Sequence, residues 1–487
     1  MDATTVHGEP RLLTHRDARA IVFGVLLPVF MGSLDTTILA SALPTIGREL
    51  GNVHALPWLI TAYLIASTSV TPLYGKISDI RGRRFTLAVG ISIYMAGSLV
   101  CAFAPDMLVL ILGRILHGLG GGGLTSLGMV VLGDIAAPRD RGRYYAYFSL
   151  TYTTAGACGP ALGGFLADHL HWSAIFWLNI PLGLIALALT VSLLRRLPRH
   201  DRPHRLDVVG ALTIMAASVA FMLALNLAGV RLPWTSLPIL SLFALALILG
   251  GCFVVRLMTA PEPLIPIAIL ANPEARLAIV ANAFGWGSII GLNIFLPMFL
   301  QSVMGVSATN AGLSLMALMV TLNLSAGLAG QLFGRMKRYK TVPMIGLVIT
   351  IASVLTLAWR AGSMSPWEFE LLLALIGLGF GPLAPLSTVV LQNSVAIHQF
   401  GTAVGTQNFT RNLFATMLVA IFGAIVLGSV DLGQVAPGTF GLQRDVGSSE
   451  GFARVFLAAA ACFTVSFFAL LVLQEKPLQT DVSPDTR

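Results

Sequence analysis

Three ionisable residues lie deep within apolar stretches of this chain, at positions where a bare charge is costly. Asp35 is the acid in SLDTTILASALPTI, and Arg114 and His117 belong to RILHGLGGGG. Burial favours the neutral form of a carboxyl group, whereas a neighbouring arginine favours the carboxylate. A change in hydration or spacing around Asp35 would therefore make it bind or release a proton. The alternative is a permanent ion pair that only fixes the packing of two helices.

His117 follows Arg114 by three residues, which places the two side chains on nearly the same face of a helix. Histidine is the side chain that changes its charge most readily near neutral pH, so His117 is a candidate second proton site. A neutral histidine hydrogen-bonded within the helix bundle is the more common arrangement. Both roles stay open from the sequence.

The elements that must position these residues are membrane helices. Only 11% of the 487 residues are charged and the mean hydropathy is +0.82, which predicts an all-α polytopic membrane protein. Fourteen apolar runs are each long enough to cross roughly 30 Å of hydrocarbon as a helix. They cover residues 20–43, 56–74, 85–104, 107–132, 144–167, 173–194, 207–228, 235–256, 276–301, 309–333, 341–359, 369–391, 402–428 and 452–473.

The first and fourth runs place Asp35 and Arg114 at similar depths. Asp35 lies eight residues before the end of its run, and Arg114 lies seven residues after the start of its run. Successive runs alternate in direction, so these two ends lie on the same side of the membrane. At about 1.5 Å per residue, both side chains are roughly 10–12 Å from that edge. We therefore predict that they face each other.

Lysine and arginine are distributed unevenly between the loops. With the N-terminus in the cytoplasm, 23 of the 30 basic residues fall in cytoplasmic segments and five in outer loops. This bias predicts cytoplasmic N- and C-termini. The net charge of +8 is therefore a topology signal and does not indicate a nucleic-acid partner. The short loops and tails predict a multi-pass protein of a bacterial inner membrane.

Two loop segments divide the chain. Residues 195–207 are the most basic stretch, residues 260–274 are rich in proline, and two apolar runs lie between them. Six runs remain before this pair and six after it. We predict a tail at 1–19, a six-helix bundle at 20–194, a linker with an inserted helix pair at 195–275, a second six-helix bundle at 276–473 and a tail at 474–487.

A weak internal repeat supports the division into halves. GKISDIRGRR at 75–84 has a degenerate copy in GQLFGRMKRYK at 330–340, which keeps the basic residues and lacks the acid. Two six-helix halves with a substrate site between them near the membrane midplane are a common transporter plan.

The loop at 75–84 places Asp79 among arginines, and positive charge for topology does not need an acid. A carboxylate there can pair with an arginine or cap the start of a helix, and such a contact can hold one conformation closed. We refer to this predicted set as the latch: it comprises Gly75, Asp79, Gly82, Arg83 and Arg84.

The fifth run contains TAGACGPALGG, whose glycines recur at helical spacing and create a flat face for close packing. Pro160 removes a backbone donor and favours a bend. A bent helix with a glycine face suits a seam between moving halves. The residues of this segment that we single out are Gly156, Gly159, Pro160, Gly163 and Gly164.

Four features in this order resemble the major facilitator superfamily, in particular its fourteen-span drug:proton antiporter branch of multidrug efflux type. They are LDTTILASALP, GKISDIRGRR, GRILHGLGGGG and GACGPALGG. The resemblance implies that Asp35 and Arg114 couple transport to protons. It also implies that the latch acid meets the helix start at 401–412, which contributes Arg411. His117 stands where this branch usually carries glutamine.

Three functions follow from these observations. The leading one is proton-driven export of amphipathic small molecules. The second is a dedicated exporter of one metabolite, lipid or antibiotic. The third is a membrane-embedded transferase, which lacks support because no HExxH motif, nucleotide loop or paired deep carboxylates occur. We expect no enzyme activity, cofactor or metal site, and we expect a monomer. Candidate cavity residues are Asn282, Asn293, Asn323, Gln407, Asn408 and Asn412.

Overall fold

The computed structural model describes most of the chain between residues 15 and 475. Most of the predicted tails and most of the basic linker lie outside the described residues. All regular elements among the described residues are helices, apart from one isolated bridge between Ala228 and Leu232. The described residues are 15–51, 55–136, 138–196, 206–229, 232–306, 308–333, 336, 338–428 and 449–475.

The N-terminal half contains six long helices. Several of them exceed the predicted apolar runs because polar turns continue each helix beyond the hydrocarbon. The first helix, for example, has 36 residues. The six are α1 (His15–Leu50), α2 (Leu56–Arg81), α3 (Arg83–Ala102), α4 (Met107–Ile135), α5 (Pro138–His169) and α6 (Ala174–Leu193).

The inserted pair follows as α7 (Val208–Leu227) and α8 (Leu237–Thr259). The two helices pack against each other, and α7 also packs against α2. A short helix, α9 (Ile267–Ala271), then leads into the second half and was not anticipated from the sequence.

The C-terminal half contains seven helices that make six crossings. One predicted run, 369–391, is broken where Gly381 and Pro382 separate two helices, because proline has no N–H to continue the helical hydrogen bonds. The seven are α10 (Pro273–Ser302), α11 (Ala308–Phe333), α12 (Thr341–Trp359), α13 (Pro366–Phe380), α14 (Leu383–Asn393), α15 (Phe400–Gly428) and α16 (Ser449–Val472).

Among the described residues, fourteen helical segments are long enough to cross a membrane when α13 and α14 are counted as one. Thirteen helical segments of the described chain are long and apolar enough to span a membrane, with α13 and α14 counted together. The remaining helix, α5, begins with the polar sequence PRDRGR, but its 32 residues run through the bundle and pack against α1 and α11. The predicted all-α membrane fold, with two six-helix bundles and an inserted pair, is confirmed.

The two halves meet where α2 packs against α15 and where α5 packs against α11. Their contacts include Gly75 against Gly401 and Gly327 against Ala146. These positions lie toward the end of the bundle where α1 begins and α16 ends, which we call the terminal end. A cavity extends from this closed floor toward the opposite end.

The halves have different cores. In the C-terminal half, the buried ring of Phe299 lies within 5.4–5.9 Å of the rings of Phe369, Phe452 and Phe456. In the N-terminal half, the largest fully buried side chains include two arginines, Arg114 and Arg141. Buried cations need partners, so the N-terminal half must supply hydrogen-bond acceptors around them.

Glycines allow the close approach of α5 to α1. A Cβ atom on Gly163 would overlap the carbonyl oxygen of Ile38, and one on Gly159 would overlap the hydroxyl of Thr37. Gly164 faces open space, with no atom within 4 Å of such a Cβ. Only one side of α5 therefore requires glycine.

We predict opposite effects of alanine at neighbouring glycines. Gly163→Ala should lower the free energy of unfolding by about 1–3 kcal/mol, because the new methyl group forces α5 away from α1. Gly164→Ala should be neutral or should stabilise the protein by up to about 1 kcal/mol through helix propensity. Unfolding of both purified variants by dodecyl sulfate in mixed micelles measures the difference. Equal effects would contradict the packing argument.

Candidate functional site

An ion pair joins α1 to α4 inside the N-terminal half. The Nη1 of Arg114 donates to Oδ1 and Oδ2 of Asp35 at 2.8 and 3.0 Å. The Nε of Arg114 donates to the carbonyl oxygen of Leu59 in α2 at 2.9 Å. Asp35 is 2% exposed and Arg114 1%. The structure thus brings together the two residues predicted to face each other, and it fastens three helices through one guanidinium group.

His117 completes this cluster. Its Nδ1 lies 2.9 Å from Nη1 of Arg114 and 3.5 Å from Oδ1 of Asp35. A guanidinium group can only donate, so Nδ1 accepts and the proton of the neutral ring is on Nε2. Nε2 is buried and has no hydrogen-bond partner among the described residues. The ring centroid is 3.9 Å from that of Tyr94. This geometry suits a neutral histidine that holds Arg114 in place.

An aromatic ring separates the cluster from the cavity. The Cζ of Arg114 lies 4.4 Å from the centre of the Tyr63 ring, and Tyr63 lines the cavity. Ser33 and Thr36, which flank Asp35 in α1, also line it. Asp35 therefore lies just behind the cavity wall, close enough for a movement of α1 or Tyr63 to change its surroundings.

The cavity lies between the halves and has a volume of about 650 Å³, which suits a drug-sized molecule. Its wall combines aromatic rings, aliphatic side chains, hydroxyls and amides. Asn293 was predicted to line the cavity but is not among its lining residues. Five predicted residues do line it: Asn282, Asn323, Gln407, Asn408 and Asn412.

Arg411 also lines this cavity and is the only charged residue among its described lining residues. Its Nε donates to Oδ1 of Asn412 at 3.2 Å, and its Cζ lies 5.7 Å from the centre of the Trp286 ring. Its predicted place in the latch is wrong. Ten residues of helix separate Arg411 from Gly401, which corresponds to about 15 Å along α15.

The latch acid meets the start of α15. Oδ1 of Asp79 accepts from the backbone N–H of Gly401 at 2.9 Å, and Oδ2 accepts from the N–H and hydroxyl of Thr402, each at 2.7 Å. The free N–H groups and dipole of a helix start favour a carboxylate. Gly75 is needed beside this contact, because a Cβ there would overlap the carbonyl oxygen of Gly401.

Arg83 connects the latch acid to α4. Its guanidinium donates to Asp79, to Oγ of Ser78 at 2.9 Å and, through Nε, to Oδ2 of Asp134 at 2.7 Å. Gly82 has a φ of +86°, which lets the chain turn between α2 and α3. Arg84 is half-buried and forms no ion pair with the described residues.

Sequence reasoning missed three residues of these sites. Asp134 follows the fourth apolar run by two residues and precedes a basic loop, and that position was the available signal. Arg141 is buried at the terminal end, where it donates to the carbonyl oxygens of Gly133 and Ala136 and lies 5.0 Å from the Phe400 ring. Tyr63 gave no signal, because one tyrosine in an apolar run is unremarkable in sequence.

The glycines of α5 have two environments. Gly159 and Gly163 contact α1 within one turn of Asp35, whereas Gly156 lines the cavity and Gly164 faces open space. The helix is continuous through Pro160.

The comparisons with known proteins agree with this architecture. A model of the Major Facilitator Superfamily matches residues 25–420. The chain belongs to the major facilitator superfamily. This superfamily member is 31% identical over 408 residues to the Multidrug transporter protein MdtP of Bacillus subtilis strain 168. The match covers 83% of the chain and 75% of that relative. It is 29% identical to the Multidrug resistance protein 3 of the same organism, over 87% of the chain and 81% of that relative.

Solved structures share the fold. The human organic anion transporter MFSD10 (TETRAN) has a TM-score of 0.66 at 16% identity, covering 93% of this superfamily member and 99% of that chain. The proton:xylose symporter XylE has a TM-score of 0.60 at 14% identity, and the match covers 92% of this superfamily member and 95% of that chain. The predicted family is confirmed. The protein is a transporter of this superfamily, whose members act on small-molecule substrates within the membrane.

We predict that Asp79→Asn opens the terminal end. The amide keeps the size of the side chain but loses the charge that strengthens its hydrogen bonds to α15 and Arg83, which are worth about 1.5–3 kcal/mol each. A cysteine at buried Val404, which packs against Val130 and Phe400, reports this opening in a background without the native cysteines. Its reactivity with a polar maleimide in detergent should rise about tenfold or more.

The matched control for this experiment is Arg81→Gln. Arg81 lies in the same loop, is exposed and contacts the Phe85 ring at 5.4 Å. Its replacement should leave the reactivity at residue 404 unchanged. An unchanged reactivity in the Asp79→Asn protein would show that this contact does not hold the halves together.

Proposed function

We propose that this superfamily member is a proton-driven exporter of amphipathic small molecules, a drug:proton antiporter that works by alternating access. The observation that carries the proposal is the enclosed pair of Asp35 and Arg114, which lies one aromatic ring behind the cavity wall. A carboxylate kept in the interior at this cost is a candidate for reversible protonation.

The hydrogen bonds suggest how a proton would act. Protonation of Asp35 removes its charge, and the attraction of its two oxygens to Nη1 of Arg114 then weakens. Arg114 keeps its bond to the Leu59 carbonyl and its contact with His117, so it stays with α2 and α4. The helix released is α1, which carries Ser33 and Thr36 on the cavity wall. Proton binding would thereby change the cavity through the position of α1.

The latch holds one of the two states that alternating access requires. In this structure the halves are closed at the terminal end by Asp79 and α15, and the cavity extends toward the opposite end. We place the terminal end in the cytoplasm because the basic loop at 75–84 lies there. Both termini are then cytoplasmic, and the structure corresponds to an outward-open state. Alternating access requires the latch to break and the halves to close at the other end.

The breadth of substrates is supported by two features. The cavity offers aromatic surface with scattered amides and hydroxyls, and little in it demands one hydrogen-bond pattern. Two relatives at about 30% identity are named as a multidrug transporter and a multidrug resistance protein. We propose a bacterial inner membrane as the location, on the basis of the short loops and tails.

We predict that Asp35→Asn separates binding from coupling. In proteoliposomes with an imposed pH gradient, uphill transport of a fluorescent dye should fall at least about tenfold. Asparagine has no carboxyl group that can bind a proton on one side of the membrane and release it on the other. Exchange of dye across the membrane without a gradient should persist, since Asp35 lies behind the cavity wall. The dye is chosen from a panel of cationic, neutral and anionic compounds that the unaltered protein transports.

A control variant removes an acid without touching this pair. Glu450→Gln breaks an exposed pair with Arg454 at the start of α16 and should transport as the unaltered protein does. Gradient-driven transport at the normal rate by Asp35→Asn would assign Asp35 a purely structural role and would refute the coupling proposal.

A further inference from the structure

The central cavity contains a fixed positive charge with no negative partner. Arg411 is the twelfth of the 29 residues of α15, so it lies near the middle of the membrane. No aspartate or glutamate is among the described residues that line the cavity. Asp35, which lies just behind the cavity wall in the other half, is already engaged by both of its oxygens with Arg114.

The contacts of Arg411 leave most of its donors unused. Nε donates to Asn412, and the plane of the guanidinium lies near Trp286, which stabilises its charge weakly. Its two terminal NH₂ groups have no hydrogen-bond partner among the described residues. They are also not among the buried polar atoms, so the cavity can reach them. A guanidinium group presents these donors as a fork that matches a carboxylate or sulfonate.

Neighbouring amides strengthen this assignment. Gln407, one turn earlier on α15 and 2% exposed, has an Nε2 group with no partner, while its Oε1 accepts from Thr388 at 3.2 Å. Asn408 lines the cavity between them. Because this Nε2 group is itself buried, the groups that this face of α15 presents to the cavity are the guanidinium of Arg411 and the amide of Asn408, a combination that suits an oxygen-rich anionic group.

We propose that the cavity selects amphipathic organic anions, which bind with a carboxylate or sulfonate on Arg411 and an aromatic or aliphatic body against the rings of Tyr63, Phe148 and Trp286. This inference rests on the proposed export function and names its substrate class. Simple cations are disfavoured, because an uncompensated arginine repels a cation that lacks its own counter-charge. Export of an anion is also assisted by an inside-negative membrane potential.

The charges of substrate and proton are handled in different halves. The anion site is on α15, and the proton site is buried in the N-terminal half beside its own counter-ion, Arg114. Exchange of substrate for proton then depends on the conformation that each ligand favours.

Three probes with one fluorophore test the substrate class. Dansylglycine is anionic, dansylglycinamide is neutral and dansylcadaverine is cationic. Equilibrium binding to the purified full-length protein, followed by dansyl fluorescence, needs no proton gradient. We expect the anion to bind at least about tenfold more tightly than the amide, and the cation to bind most weakly. Tighter binding of the cation or of the amide would overturn the proposal.

Variants at one position locate the selectivity. Arg411→Gln should weaken binding of dansylglycine about tenfold or more and should change binding of the amide by less than about twofold. Arg411→Lys keeps the charge without the fork and should retain part of the preference. Arg48→Gln, an exposed arginine near the end of α1, is the matched control and should bind as the unaltered protein does. Unchanged binding of the anion to Arg411→Gln would overturn the proposal.

The comparison of probes on the unaltered protein decides the question even if Arg411→Gln fails to fold. Transport in proteoliposomes then separates the two proposals. Selective anion binding without gradient-driven transport of any probe would support the anion site and refute the exporter. Gradient-driven transport of the cation that is unaffected by Arg411→Gln would support the exporter and refute the anion site.

Discussion

The burial of one ion pair within the membrane is the constraint on which the N-terminal half depends. Charges inside a bilayer must be paired and hydrogen-bonded, and Arg114 meets this need with Asp35, the Leu59 carbonyl and His117. Helices α3 and α4 also pack closely beside this cluster. Gly120 allows this approach, because a Cβ there would overlap the backbone of Tyr94. The C-terminal half has no such cluster among its described residues, and rings around Phe299 fill its core instead.

Helix α15 connects the different parts of the proposed cycle. Backbone N–H groups of its first turn donate to the latch acid, Asp79. About 15 Å further along the same helix, Arg411 lines the cavity. A ligand that moves α15 through Arg411 would therefore act on the same rigid element that the latch holds. On the other side, α1 carries both Asp35 and part of the cavity wall. Substrate and proton would each act on a helix that also lines the space between the halves.

The sequence predicted those contacts that follow from depth along a helix. Because the rise per residue is nearly constant, the positions of Asp35 and Arg114 in their runs sufficed to place them side by side. The resemblance also led to the contact of Asp79 with the start of α15. The resemblance did not indicate which turn of α15 contacts Asp79, so Arg411 was wrongly predicted to belong to the latch. The break at Gly381, the exclusion of Asn293 from the cavity and the partner Asp134 depend on side-chain direction and packing across helices, which one sequence does not encode locally.

The most direct test of the central claim is the number of protons released when a ligand binds. Purified protein in weakly buffered detergent solution, with a pH indicator, is mixed with a saturating amount of a transported probe. The account predicts that the unaltered protein releases protons and that Asp35→Asn, at matched occupancy, releases none. Equal release by both proteins would contradict the claim that Asp35 is the group that exchanges its proton for substrate.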